Sequence, residues 1–587
     1  MECSLQQRAN DFKKGLEALD NAYEPDALKV AKHSRTFNHH DETNHAESLI
    51  KQPETRPITK GQLVAEVKGI YAGLVMVESK CIEVDNAQSS TKNTISNEQW
   101  QALIALHRTL LQEHHDFVLA SQHPSASPDL RRLAIKYAMP ARMWRHGIHS
   151  FLELLRHRLP ESLEHMLTFI YLAYSMTALL YQTVPTFKDT WIECLGDLGR
   201  YRMAIEDKPE DREVWTSVSR HWYSKASDKA PTTGHLYHHL AILARPNALQ
   251  QLFYYVKSLC VPIPFLSTRE SIMTLFDPHL NGTPTRLQKI DAAFVRAHGV
   301  LFSGKSSELF DPSVKEFIGS LDGHIASFAK EESDSDIRKG LNDEKQTWLK
   351  SSYYVAIALG CAILEYGSES NCIIRAIETS NTEDADTEAY ATSQNFLKAL
   401  NLAAGTHDVV FRRFAVPERN DADKDSPRIP DPNVNPYLHV TLSFLYHMSH
   451  FPTAMGYIEA KMPWKLISLM LNALMKECAT VDRIESEDFP RSDNETPRPL
   501  PEDFAQRGLL WVDRYYPDDW FTSKFDDDEK YFEVASMTSE RVERCLWLGC
   551  RLASSGKWLT YDKSTRQFGV PGVYDVDIPG LKAAAPE

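Results

Sequence analysis

The chain has 587 residues, of which 42% are hydrophobic, and a formal net charge of −15 from 65 basic and 80 acidic side chains. This length allows several domains or one long helical array. The acidic balance argues against a nucleic-acid surface that covers the whole chain, although a local basic patch stays compatible with it. Nine cysteines without a Cys-x-x-Cys pair, and an N-terminus without an apolar signal core, predict a cytoplasmic or nuclear protein with reduced thiols.

The predicted elements are helical from Gly61 onwards. Residues 1–57 are polar and rich in His, Asn and Glu, so we expect disorder there. Apolar residues recur at helical spacing from Gly61 onwards, and the apolar run 166–181 is read as a buried core helix. No period-two alternation is long enough to predict a sheet. Four tryptophans near the end predict a late core, because large aromatic side chains anchor packing: Trp511, Trp520, Trp547 and Trp558.

Two motifs carry most of the information. Residues 195–202, LGDLGRYR, place the pair Arg200 and Tyr201 on a helix of small and apolar residues, which can pack closely and still hold a guanidinium at a pocket floor. Downstream, partial tetratricopeptide spacing occurs twice in succession, close to the period of about 34 residues. The residues that carry it are Tyr223, Ala226, Pro231, Gly234, Tyr237, Leu240 and Ala241.

These motifs resemble the Est/Smg family of adaptors in nonsense-mediated mRNA decay and telomerase recruitment, most strongly over residues 144–276. Residues 500–511, LPEDFAQRGLLW, are similar to the C-terminal region of fungal members. The resemblance implies an all-α fold. Its expected organisation is a disordered segment 1–57, a 14-3-3-like domain with tetratricopeptide repeats at 58–280, a helical-hairpin C-terminal Est-type domain at 281–562 and a tail at 563–587.

The resemblance also implies a phosphate pocket. In 14-3-3 proteins an Arg-Tyr pair on one helix and basic residues on another hold a phosphoserine, and Arg200 and Tyr201 match the first element. The second element is expected on the helix after Trp144, where His149 stands in place of the lysine of other Smg members. Arg156 lies seven residues later and Arg145 four residues earlier, so helical spacing puts both on the face of His149.

Residues 131–158 carry seven Lys or Arg residues against one acid, Glu153, which is unusual in so acidic a chain. Guanidinium groups match phosphate oxygens in charge and geometry. A solvated basic helix face is the alternative explanation of the charge. We expect Arg202 to be an outward or structural arginine.

Three functions remain open from the sequence. The first is a phosphoserine- or phosphothreonine-peptide-binding adaptor of mRNA surveillance, whose partner by resemblance is the phosphorylated up-frameshift RNA helicase. The second is a telomerase- or telomere-associated factor that binds DNA or RNA. The third is a helical scaffold in which the pocket has lapsed, because His149 replaces the lysine. A paralogous 14-3-3-like protein is a further candidate partner, and no membrane is expected.

We expect no enzymatic activity, cofactor or metal. Residues 299–306, GVLFSGKS, fit the phosphate-binding-loop pattern, but that loop must follow a buried strand, and residues 291–298 are predicted to be helical. His235, His238 and His239 have no matching set of Cys or carboxylate ligands, so a surface or packing role is expected. The end of the chain is too short for the PIN nuclease domain that some family members carry.

Overall fold

The computed structural model of the protein describes residues 58–90, 94–283, 287–334, 348–380, 390–415, 435–476, 478, 480–491, 497–523, 525 and 527–578. The predicted disordered segment 1–57 lies outside these residues. Contacts divide the chain into two compact units, and the division falls between Trp222 and Tyr223. Each unit is helical, so the predicted all-α class is confirmed.

The first unit contains helices that we number in chain order. They are α1 Lys60–Ser90, α2 Asn97–Ser121, α3 Pro128–Lys136, α4 Met139–Arg142, α5 Ser150–Arg156, α6 Leu163–Thr183, α7 Lys188–Ala204 and α8 Pro209–Lys229, the last of which continues across the division. A π-helical segment, Met143–His149, joins α4 to α5, and a 3-10 turn, Pro185–Phe187, precedes α7.

Local capping explains where two of these helices begin. The Ser96 side chain accepts a hydrogen bond from the Gln99 backbone and the Gln99 side chain accepts one from the Ser96 backbone, which is a capping box at the start of α2. The Ser127 side chain caps α3 by accepting a hydrogen bond of 3.3 Å from the Leu130 backbone, directly before Pro128 at the first helical position. These two caps mark the starts of α2 and α3 on either side of the break at residues 122–127.

The apolar helix α6 packs against α2, α5 and α7. Met166, Phe169, Ala173 and Leu180 are buried at helical spacing, whereas Tyr171 is 65% exposed. The prediction of a buried core helix thus holds for one face only. Among the described helices α6 is the one that is long and apolar enough to cross a membrane, but a single one-faced apolar helix is also what a folded domain contains.

The described part of the second unit contains further helices and two strands. They are α9 Gly234–Leu243, α10 Ala248–Leu259, α11 Thr268–Ser271, α12 Met273–Leu280, α13 Lys289–Ser303, α14 Phe310–Asp334, α15 Trp348–Ile363, α16 Cys372–Ser380, α17 Gln394–Ala415, α18 Asn435–Ser449, α19 Pro452–Gly456, α20 Trp464–Met475, α21 Val481–Glu485, α22 Pro501–Gln506, α23 Asp527–Lys530, α24 Ala535–Ala553, β1 Thr560–Asp562 and β2 Gln567–Gly569. Among the described residues of this unit, 3-10 turns lie at Ser307–Leu309, Glu459–Lys461 and Leu510–Val512.

The helices α9 and α10 pack against each other as the predicted helical hairpin. Gly234 allows their close approach, because a Cβ at this position would lie 2.3 Å from the Ser258 carbonyl oxygen. The sequence placed this hairpin in a domain that ends at residue 280, but the structure groups it with the later helices. The reason is long-range packing of α10 against α15 and a hydrogen bond of 3.1 Å from the Leu510 backbone to the Cys260 carbonyl oxygen.

The end of the described chain is folded. The four late tryptophans are each at most 5% exposed, so the predicted late core is confirmed. The strands β1 and β2 form an antiparallel pair that the sequence did not predict, because strands of three residues are too short to show alternation. Phe568 on β2 is buried and β2 packs against α20, which extends the folded unit beyond the predicted boundary at residue 562.

Candidate functional site

Two helices of the first unit bring four of the five predicted site residues into one region. Arg200 and Tyr201 lie on α7, Arg156 ends α5, and His149 ends the π-helical segment directly before α5. The His149 and Tyr201 rings lie nearly perpendicular to each other, with 6.4 Å between the ring centroids. The predicted juxtaposition of the Arg-Tyr pair with the helix after Trp144 is therefore present in the structure.

Glu153 lies at the centre of this region. The Tyr201 hydroxyl donates a hydrogen bond of 2.7 Å to Glu153 Oε1, and Arg156 Nη2 donates one of 2.6 Å to Glu153 Oε2. Arg156 Nε lies 3.1 Å from both carboxylate oxygens. Two donors on different helices thus converge on one carboxylate group, in a short and charge-assisted geometry.

The pKa values follow this arrangement. Burial opposes ionisation of Glu153, but hydrogen bonds from Arg156 and Tyr201 and the charge of Arg156 outweigh it, so the pKa of Glu153 lies below its usual range. Burial, followed by the hydrogen bond to Glu153, raises the pKa of Tyr201. At neutral pH the centre of the site is therefore an ionised carboxylate held by a neutral phenol and a charged guanidinium.

The other two predicted arginines take different positions. Arg200 is about one-third exposed and pairs with Asp197 on its own helix, with 2.8 Å between Nη2 and Oδ1. Arg145 is exposed in the π-helical segment, one turn before His149. Arg156 and Tyr201 thus share the Glu153 carboxylate, whereas Arg200 pairs with Asp197.

Buried polar contacts hold the segment that carries His149. Asp85 on α1 accepts hydrogen bonds from Ser150 Oγ at 2.7 Å and lies 3.1 Å from His107 Nε2. The other ring nitrogen of His107 lies 3.0 Å from the Gly147 carbonyl oxygen. Such π-helical turns are rare and occur often at functional sites. Here the turn is fixed by side chains of α1 and α2, which orients His149 relative to α5.

Small residues on α7 allow it to pack closely against α8, as the sequence predicted. Ser219 Oγ donates a hydrogen bond of 2.8 Å to the Gly196 carbonyl oxygen, and a Cβ at Gly199 would lie 3.3 Å from Ser219 Cα. Arg202 was expected to be an outward or a structural arginine, and its burial in an ion pair with Glu206 makes it structural. These contacts fix α7 and thereby place Arg200 and Tyr201.

Sequence reasoning missed the role of Glu153. It counted this residue only as the one acid in a basic stretch. The signal was nevertheless present, because an acid three residues before an arginine on one helix forms an ion pair across a single turn. The observed pair between Glu153 and Arg156 is of that type.

The competing motifs have structural explanations. Gly299 lies inside α13, where a Cβ would meet Phe276 at 3.2 Å, and the helix ends at Ser303 with Gly304 in the left-handed region. The predicted helical context of the apparent phosphate-binding loop is therefore confirmed. His239 stacks on Tyr223, and His238 Nε2 lies 2.9 Å from Ser271 Oγ. Across the described residues no group of three or more His, Cys, Asp or Glu is placed to hold a metal ion.

Comparisons with known proteins give the relatives of the chain. EST/SMG-like protein 2 of Saccharomyces cerevisiae is 23% identical over 227 residues, which are 37% of this chain and 18% of that protein. Telomerase-binding protein EST1A of Danio rerio is 38% identical over 86 residues, which are 14% of this chain and 5% of that protein. The chain thus aligns with less than a fifth of the length of either relative.

A similar solved structure is that of the C. elegans SMG5-SMG7 complex, with 13% identity and a TM-score of 0.40 over 79% of this chain and 92% of that chain. The family profile described as the Est1 DNA/RNA binding domain matches residues 219–515, just over half of the 587 residues. This chain therefore belongs to the Est/Smg family and carries its Est1-type domain.

Proposed function

We propose that this chain is a non-catalytic adaptor that binds a phosphoserine or phosphothreonine peptide at the site on α5 and α7. The observation that carries the proposal is the convergence of Arg156 and Tyr201 on the Glu153 carboxylate. Donors from two helices are already arranged around an oxyanion, and a phosphate presents oxyanions with more charge and three acceptor oxygens. Arg200 lies beside Tyr201 on α7 and the His149 ring packs against Tyr201, so both residues flank these donors.

The family supports the proposed context. Relatives named for telomerase binding and for EST/SMG likeness favour a partner in mRNA surveillance or telomerase recruitment, and we place this chain in mRNA surveillance in the cytoplasm or nucleus. The partner would be a phosphorylated protein, by resemblance the up-frameshift RNA helicase. A paralogous 14-3-3-like protein would be a second partner.

A phosphopeptide binding measurement tests the proposal. The probe is a fluorescent peptide library with a fixed central phosphoserine and degenerate flanks, compared with the same library carrying serine. We expect binding of the phosphoserine library only, measured by fluorescence anisotropy. Reversal of charge in Arg200→Glu removes an attraction and adds a repulsion, so it should weaken binding by roughly tenfold or more.

Arg132→Glu is the matched control, because it makes the same charge change at an exposed arginine on α3 of the same unit. It should bind the phosphoserine library like the unmodified protein. Circular dichroism should give equal helix content for both variants. Equal affinity for the phosphoserine and serine libraries would remove the proposed function.

Binding of DNA or RNA is the second candidate. The match of residues 219–515 to a domain described as DNA/RNA binding favours it. The formal net charge of −15 opposes it, because nucleic-acid affinity depends on neutralising phosphates with Lys and Arg.

A further inference from the structure

The Glu153 carboxylate occupies the donors that a ligand oxyanion would need. Its Oε1 accepts from the Tyr201 hydroxyl and its Oε2 from Arg156 Nη2, while Arg156 Nε lies between the two oxygens. Both carboxylate oxygens are therefore engaged. The site contains a bound anion of its own before any ligand arrives.

This internal anion can leave the donors without unfolding the helix. The Glu153 side chain is 28% exposed and that of Arg156 is 53% exposed, so water reaches both. Surface ion pairs of this kind contribute little to stability, which makes the contact replaceable. The lowered pKa of Glu153 keeps its carboxylate ionised at neutral pH. A ligand anion that takes its place on the donors is therefore repelled by the negative charge of Glu153.

We propose that Glu153 is a specificity-determining residue, which admits a phosphate dianion and rejects the carboxylate of an aspartate or glutamate side chain at the same peptide position. This role of Glu153 rests on the proposed function, and it makes the site selective for phosphorylated side chains over carboxylates. In practical terms, phosphomimetic substitutions in the partner should fail to bind.

The reason is the balance of contacts. A peptide carboxylate that displaces Glu153 would make the same hydrogen bonds to Arg156 and Tyr201. It would also leave the charge of Glu153 nearby, and the peptide would lose conformational entropy on binding. A phosphate carries a charge of about −1.5 to −2 and three acceptor oxygens. It can therefore bind Arg156 and Tyr201 and also draw Arg200 away from Asp197, which gives a net gain that a carboxylate lacks.

The experiment uses the full chain and three fluorescent peptide libraries that differ only at the central residue: phosphoserine, glutamate or serine. The variant Glu153→Gln keeps the size of the side chain and removes its charge. We expect the unmodified protein to bind only the phosphoserine library. The Glu153→Gln protein should bind the glutamate library roughly tenfold or more tightly than the unmodified protein does.

Glu164→Gln is the matched control, because it removes the same charge from an exposed glutamate on α6. It should leave the selectivity unchanged, whereas an equal gain in this control would reduce the effect to net charge and overturn the inference. Phosphoserine binding without any gain for glutamate in Glu153→Gln would also overturn it while the proposed function stands. If neither protein binds phosphoserine, the proposed function fails, and this inference fails with it.

Discussion

His149 lies at the edge of the Glu153, Arg156 and Tyr201 cluster, where it contacts Tyr201 edge-on and lies 6.1 Å from Trp144 between ring centroids. Its exposed imidazole has room for a longer side chain. Histidine in general is mostly neutral at pH 7.5, whereas lysine is charged. We therefore predict that His149→Lys binds the phosphoserine library several-fold more tightly than the unmodified protein at pH 7.5, in the same anisotropy measurement. Equal affinity of His149→Lys and the unmodified protein for the phosphoserine library would place His149 outside the site.

At Gly508 a larger residue is disfavoured for two reasons, the left-handed backbone conformation and the lack of space for a Cβ atom. Its φ is +86°, and a Cβ there would lie 1.9 Å from the Pro231 carbonyl oxygen. The left-handed conformation costs about 1–2 kcal/mol for an alanine, and the collision adds to it. We predict that Gly508→Ala lowers the free energy of unfolding by about 3 kcal/mol or more, measured by urea denaturation.

Gly556 provides the control for that measurement. It has a φ of +62°, but nothing lies within 4 Å of its Cβ position. Gly556→Ala should therefore lower the free energy of unfolding by the conformational cost alone, about 1–2 kcal/mol. Equal losses in both variants would show that the Pro231 contact relaxes without cost.

At the scale of the elements, α22 is joined to α24 by a buried charge network. Arg541 on α24 donates to Glu502 on α22 at 2.6 Å and 3.0 Å, and also binds Glu533. His439 Nδ1 lies 3.0 Å from Glu502 Oε1. Burial opposes ionisation of Glu502, but the charge of Arg541 and the hydrogen bonds outweigh it, so the pKa of Glu502 lies well below its usual range.

Because of this network, the free energy of unfolding should decrease at acidic pH. A carboxyl group whose folded pKa is depressed stabilises the fold above its unfolded pKa of about 4.3, and that contribution is lost as the pH falls. We predict that Glu502→Gln lowers the free energy of unfolding at pH 7 by about 3–5 kcal/mol, because it leaves Arg541 partly uncompensated. In urea denaturation the difference should shrink as the pH falls below about 4, and a constant difference would contradict the assignment.

Some of these elements could be predicted from the sequence and others could not. Periodicity and spacing were sufficient to place Arg200 and Tyr201 on one helix and Arg156 on another, because those patterns are local. The π-helical segment was not predictable, since it depends on the contact of His107 with the Gly147 carbonyl oxygen, 40 residues away in sequence. The grouping of α9 and α10 with the later helices depends on packing against α15 and is equally non-local.

At the scale of the whole molecule, charge separates the two candidate functions. The formal net charge of −15 repels polyanions, and ionic screening weakens such repulsion beyond about 10 Å at 0.1 M salt. A single phosphate on a peptide can be served by a local set of donors such as Arg156, Tyr201 and Arg200. A nucleic acid needs a longer basic track, because each neutralised phosphate adds to the affinity.

A salt titration with a single-stranded RNA oligonucleotide therefore distinguishes the two functions. The logarithm of the binding constant falls with the logarithm of the salt concentration by about 0.7 for each phosphate neutralised. For this chain we predict that the logarithm of the binding constant falls by less than about 2 for each tenfold increase in salt concentration. This slope corresponds to no more than about three neutralised phosphates. Arg200→Glu should weaken phosphopeptide binding by roughly tenfold or more and leave the weak RNA interaction unchanged. A fall of about 4 or more, together with tight binding at 0.15 M salt, would instead favour nucleic-acid binding by the Est1-type domain at residues 219–515.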